Sequence, residues 1–178
     1  MRIGLVLSAL SIVLAFQSSS SQPKALPNAP DSSNAAAKTQ TTLGACRTRD
    51  RLSPDDFTSV MHTIQSAWSE GNAREAAGCF TENAIYSSPP ARGHQGRENI
   101  YQHFGGAKGL AMPMKIEWHH LVFDPTQQLG MAEFTYQYHL QANGVVVLKF
   151  SNGLISNWRE YDVPSDLIWS KFVGPNDF

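Results

Sequence analysis

Gly153-Leu154-Ile155-Ser156-Asn157-Trp158-Arg159-Glu160-Tyr161 sets two aromatics, a guanidinium and a carboxylate in four consecutive positions of a strand-like run. Side chains alternate along a strand, so Trp158 and Glu160 share one face and Arg159 and Tyr161 the other. A carboxylate beside an indole is costly to bury unless the face lines something. The run therefore predicts a strand that borders a pocket.

Upstream, Met114 to Phe123, Met131 to Leu140 and Val145 to Phe150 also read as strands, with Leu154 to Tyr161 the last of the series. Asp124-Pro125, Asn143-Gly144 and Asn152-Gly153 separate them, and the two Asn-Gly pairs predict hairpins because type I′ turns need positive φ at both central residues. Further upstream the pattern is helical. Ser53-Pro54-Asp55-Asp56 joins an N-cap serine, a proline suited to the first turn and two acids at the positive helix end. Phe57, Val60, Met61, Ile64, Ala67 and Trp68 then form one apolar stripe that stops near Gly71. Asn72 caps a second helix, Ala73 to Phe80, and a strand around Ala84 to Ser88 ends at Pro89-Pro90. Gly96 opens a third helix that buries Ile100, Tyr101 and Phe104, and Gly105-Gly106 closes it. The tail from Ser165 reads as a short helix packing Leu167, Trp169 and Phe172. The expected class is α+β: three N-terminal helices packed in a curved antiparallel sheet, with a cavity between the long helix and the concave face.

The chain of 178 residues, 42% of them hydrophobic, holds material for one domain, placed at 50–178. Residues 18–49 are rich in Ser, Pro, Ala, Asn, Gln and Thr and read as a disordered linker. Residues 1–17 read as a signal peptide, with Arg2 ahead of an apolar run from Ile3 to Phe16. That run is shorter than the ~20 residues of a membrane helix, so no stable span is expected after cleavage; an uncleaved anchor is the alternative. The expected location is periplasmic or secreted. With 14 Lys and Arg against 15 Asp and Glu and no basic stripe, nucleic acid is not an expected partner. Cys46 and Cys79, in an oxidising compartment, either bridge and tie the linker down or remain a stray thiol and a small buried hydrophobe.

Trp158-Arg159-Glu160-Tyr161, with Gly96-Arg97-Glu98-Asn99-Ile100 before it, resembles the nuclear transport factor 2-like superfamily, in particular its SnoaL-like branch. The element order is similar too, over about residues 53 to 178. The resemblance implies a cone with an apolar small-molecule pocket, a homodimer and no cofactor. The limonene epoxide hydrolase branch has a similar Trp-Arg-Asp-Tyr segment, whose carboxylate works on the reacting water; Glu160 matches that position. Tyr86 and Ser88 fall where that branch holds the water, whereas its partner-strand Arg and Asp are replaced by Glu133-Phe134-Thr135-Tyr136. The polyketide cyclases of the SnoaL-like branch use a single acid or base in an apolar pocket.

These readings give Glu160, His120 and Glu133 as the candidate catalytic residues and Tyr86, Ser88, Trp118 and Trp158 as substrate-binding ones. A carboxylate walled by Trp158, Trp118 and Tyr86 loses solvation, its pKa rises, and it exchanges protons with a bound carbon acid. The alternative is a Glu160 ion pair with an arginine of another strand. His119 and His120, as strand neighbours, are expected on opposite faces, with His120 beside Trp118 in the cavity and no metal site between them. Glu133 needs a partner, either pocket chemistry or a salt bridge to Arg159 or Arg97. The function expected is cyclase-, isomerase- or hydratase-type acid/base chemistry on a small apolar molecule; a non-catalytic ligand-binding or dimerisation module is the alternative.

Overall fold

The computed structural model describes Cys46 and residues 49–176, apart from 92 and 111. The expected signal peptide and most of the expected linker lie outside the described residues. Among the described residues no helix is long and apolar enough to cross a membrane.

Helix α1 (Pro54–Ser69) starts as its sequence dictates. Ser53 Oγ accepts from the Asp56 amide at 3.2 Å, and the Asp56 carboxylate accepts from the Ser53 amide at 3.0 Å. The six residues of its apolar stripe are all buried. After Gly71, Asn72 caps α2 (Ala73–Gly78), which leads into β1 (Phe80–Ser87), a short β2 (His94–Gln95) and α3 (Arg97–His103). Arg97 Nε donates to the Phe80 carbonyl at 2.7 Å, so this arginine fixes the entry to α3, and among the described residues it forms no salt bridge. Four long strands follow: β3 (Lys115–Asp124), β4 (Leu129–Gln137), β5 (Gln141–Ser151) and β6 (Leu154–Pro164), then α4 (Trp169–Phe172).

The sheet order is β2-β1-β6-β5-β4-β3. Neighbours are antiparallel except β1, which joins β6 in parallel, so the expected cone is built on a mixed sheet. Helices α1 to α3 pack against one face of the sheet, and α4 lies on the other, where Trp169 stacks on His119. At Gly130 an added Cβ would come within 2.5 Å of the Phe57 ring, a separation that fixes how closely α1 approaches β4.

Two details of the strand reading change. Asn152-Gly153 is the β5–β6 turn, with φ of 51° and 73°. Asn143-Gly144 is not a turn: it lies inside β5, and the chain reverses at residues 138–140 instead. The pair is needed there for packing. A Cβ on Gly144 would meet the Tyr161 carbonyl of β6 at 2.3 Å, and fully buried Asn143 accepts from Thr135 Oγ1 and donates to the Leu167 carbonyl.

The second change concerns the histidines. Trp118 pairs with Phe134 and Leu121 with Ala132, so His119 and His120 together oppose Glu133 in a β-bulge. Both rings therefore point outward, away from α1 to α3. Strict alternation, which separates them in the sequence reading, fails at the bulge.

Cys46 and Cys79 form a disulfide, with Cα atoms 5.0 Å apart. The end of the segment read as linker is thus held on the domain. Arg51 donates to the Pro125 and Thr126 carbonyls, and buried Gln128 exchanges hydrogen bonds with the Leu52 backbone.

Candidate functional site

Two neighbouring strands build the polar centre of the site. β6 presents Trp158, Glu160 and Asp162 on its inner face, and β1, its parallel neighbour, presents Tyr86 directly opposite Trp158. The Tyr86 ring stacks on the Trp158 ring at 5.7 Å and 13°. That stack aims both polar edges at one carboxylate. Tyr86 Oη donates to the Glu160 oxygens at 2.9 and 3.0 Å, and Trp158 Nε1 donates at 2.8 Å.

Glu160 opens into a cavity of about 230 Å3 between α1, α3 and strands β3 and β4. Its walls include Trp68, Phe104, Leu110, Met114, Phe134 and Tyr136. Burial raises the Glu160 pKa, the hydrogen bonds from Trp158 and Tyr86 oppose that rise, and the nearby Asp162 charge adds to it. Burial, then Glu160, pushes the Tyr86 phenol well above its ordinary value, so Tyr86 remains a proton donor to the carboxylate. Tyr136 is pushed up to about 12 by burial and by the charges of Asp162 and Glu160. Among the described residues no cation forms a salt bridge with Glu160. Arg159 points to the other face, 5.9 Å over the Tyr161 ring. The ion-pair alternative for Glu160 is therefore not realised there.

The remaining expected residues separate into two groups. Ser88 sits beside Asp162, to which its hydroxyl donates at 3.3 Å, and Tyr136 Oη donates to the same carboxylate at 3.4 Å. Trp118 lies behind the cavity wall, its indole donating to the Met61 carbonyl at 3.1 Å and its ring packing on Phe134 and Trp158. His120 and Glu133 do not join Glu160. His120 Nδ1 meets Glu133 Oε2 at 2.6 Å on the outer face, because Glu133 alternates with inward Ala132 and Phe134 and the bulge turns His120 the same way. Glu133 is thus partnered by His120 rather than by Arg159 or Arg97. His119 Nε2 lies 2.8 Å from Thr135 Oγ1, and its ring stacks on Trp169. Among the described residues no group of three or more His, Cys, Asp or Glu is placed to hold a metal ion.

Three site residues are not among the candidates of the sequence reading, which sets His103 aside as an ordinary surface or boundary residue. Asp162 continues the alternation of Trp158 and Glu160, a signal that was there to extend. Tyr136 shares the inner face of β4 with Phe134, which follows from the same period. His103, in the last turn of α3, lines the cavity, stacks on His94 at 4.1 Å and lies 5.2 Å from the Tyr86 ring. Burial of that contact, then His94, holds it below the usual histidine range. Nothing in its neighbourhood in sequence distinguishes it.

The fold recurs in solved structures. An LEH-like epoxide hydrolase from M. tuberculosis is 14% identical with a TM-score of 0.51, covering 58% of this chain and 80% of that one. A ketosteroid isomerase-like protein from Kribbella flavida is 15% identical with a TM-score of 0.53, covering 67% and 84%. An epoxide hydrolase/cyclase-like enzyme of pyran ring formation in the polyether salinomycin is 17% identical with a TM-score of 0.52, covering 61% and 92%. At these identities the likeness is one of fold. No curated protein matches the chain in sequence. The model of the SnoaL-like domain matches residues 61–158, more than half of the chain, and the protein accordingly belongs to the SnoaL-like domain family.

Proposed function

We propose that this protein is an exported domain that binds a small apolar molecule in the Glu160 cavity and exchanges a proton with it. The observation that carries the reading is a carboxylate at the cavity wall held by two neutral donors, Tyr86 and Trp158, with no salt bridge to a cation among the described residues. Such an acid has its pKa moved toward the range useful for general acid/base work, and Tyr86 fixes its orientation. Structural neighbours described as epoxide hydrolase, isomerase-like and cyclase-like proteins are in keeping with cyclase-, isomerase- or hydratase-type chemistry. The roles follow from position: Glu160 takes or returns the proton, Tyr86 and Trp158 hold it, and His103 is the second titrating group on the wall. His120 and Glu133 have no part in this chemistry.

The test is deuterium exchange by NMR. Small apolar ketones in D2O with the protein should exchange the hydrogens next to the carbonyl faster than in buffer, and Glu160→Gln should abolish the excess. Exchange at the buffer rate with bound ketone would leave the alternative, a non-catalytic binding module.

Export is supported by the apolar run after Arg2 and by the Cys46–Cys79 bridge, which suits an oxidising compartment. Intact mass of protein recovered outside the cytoplasm should show a start between roughly Ser18 and Lys24, and a mass that includes Met1 removes the cleaved-signal reading. For a homodimer, the supporting feature is the exposed Val122, Met131, Tyr161 and Val163 on the strands. Light scattering at the monomer mass across concentrations would exclude it.

A further inference from the structure

The walls of the Glu160 cavity have a charge composition that selects among apolar molecules. Six aromatic rings contribute to them: Trp68, Tyr86, Phe104, Phe134, Tyr136 and Tyr138. No lysine or arginine is among the lining residues, and Glu160 is the carboxylate among them. Among the described residues Glu160 accepts from Tyr86 and Trp158, and an ionised carboxylate has about four acceptor positions, so acceptor capacity remains for a ligand. Asp162 adds a second negative group on the same face of β6, held by Ser88 and Tyr136 through hydroxyl donors at 3.3 and 3.4 Å. An anionic ligand meets repulsion in such a cavity and no lysine or arginine, only His103, whose pKa burial and the neighbouring His94 lower. A cation meets the negative faces of aromatic rings and an unneutralised carboxylate, two attractions that act together.

From this composition we infer that the molecule taken into the Glu160 cavity is an apolar compound carrying a protonated amine. The inference rests on the reading that this cavity binds a small molecule, and adds the charge that the molecule carries. The ammonium supplies the counter-charge that the protein omits beside Glu160, while its apolar body fills the space between Trp68, Phe104 and Phe134. Size narrows the class further. A cavity of about 230 Å3 takes about nine non-hydrogen atoms when scaled from the 150 Å3 cavity that holds benzene. Single-ring arylalkylamines fit that limit, whereas polycyclic molecules exceed it.

Three probes of one shape separate the possibilities: phenethylamine as the ammonium, 2-phenylethanol as its neutral counterpart and phenylacetate as the anion. Calorimetric titration of the folded, disulfide-intact protein near neutral pH should give the amine an affinity about tenfold above the alcohol, with the acid weakest. Glu160→Gln should bring the amine-to-alcohol ratio close to one. Asp162→Asn, which leaves the Tyr86–Glu160–Trp158 contacts in place, should lower it by a smaller factor and serves if the first variant does not fold. An alcohol that binds as tightly as the amine overturns the inference and leaves the small-molecule reading intact. So does an acid that binds as tightly as the amine. Failure of all three to bind overturns both.

Discussion

At Glu160, burial and hydrogen bonding pull ionisation in opposite directions, and burial prevails. The consequence for stability has a definite sign. A carboxyl whose folded pKa lies above its unfolded value, about 4.3 for glutamate, favours the fold fully below that value and loses the contribution as pH rises through the folded pKa. Glu160→Gln removes this loss. Urea midpoints of the variant should equal or exceed those of the parent at neutral pH, and the gap should close on acidification toward pH 4. Had Glu160 neutralised a buried arginine, the same change would cost about 3–5 kcal/mol, and a drop of that size counts against the site described above. The sequence made Trp158 and Glu160 legible through strand alternation and the Trp-Arg-Glu-Tyr segment, and Tyr86 through the resemblance to the epoxide hydrolase branch. His120 was not legible, since its direction depends on one unpaired residue in β3 and a bulge leaves no mark in a run such as Trp118-His119-His120-Leu121.

At the scale of the elements, the helices followed their local signals closely. The capping box at Ser53 and the stripe from Phe57 to Trp68 involve only neighbours within one helix, so the sequence contains what is needed to place them. The strands depend on distant partners, and there the reading shifted. Asn143-Gly144 has the chemistry of a turn, yet its glycine serves the close approach of β6 and its asparagine a buried hydrogen-bond link from Thr135 to the tail. The parallel joining of β1 to β6 was likewise not legible, because it is fixed by how Tyr86 and Trp158 meet across elements over seventy residues apart. Gly144→Ala tests the packing account. Its methyl would fall 2.3 Å from the Tyr161 carbonyl and 2.9 Å from Asp162 Cα, so β5 and β6 must part locally. A loss of about 1–3 kcal/mol in urea unfolding is expected, with reduced ligand binding because Asp162 and Glu160 move with β6. A turn position would have tolerated alanine only at the cost of its φ, without disturbing the cavity.

For the molecule as a whole, the disulfide ties Cys46 to the residue just ahead of β1. Loop-closure entropy for the 33-residue separation puts the stabilisation by the Cys46–Cys79 bridge at about 3–4 kcal/mol. Reduction, or replacement of both cysteines by alanine, should lower the unfolding midpoint accordingly. It should also bring new limited-proteolysis cleavage just ahead of Ser53, which mass mapping of the fragments would read. The bridge has a mechanical consequence as well. Cys79 immediately precedes β1, whose Phe80 pairs with Ile155 of β6, and the Cys79 carbonyl accepts from the Ile155 amide at 2.9 Å. Tension applied to the chain ahead of Cys46 therefore passes through sulfur into the parallel β1–β6 contact, where strands resist by shear, and bypasses α1 altogether. In force spectroscopy the oxidised protein should extend about 110 Å less than the reduced one, because the chain between the cysteines, a sequence separation of 33, carries no load.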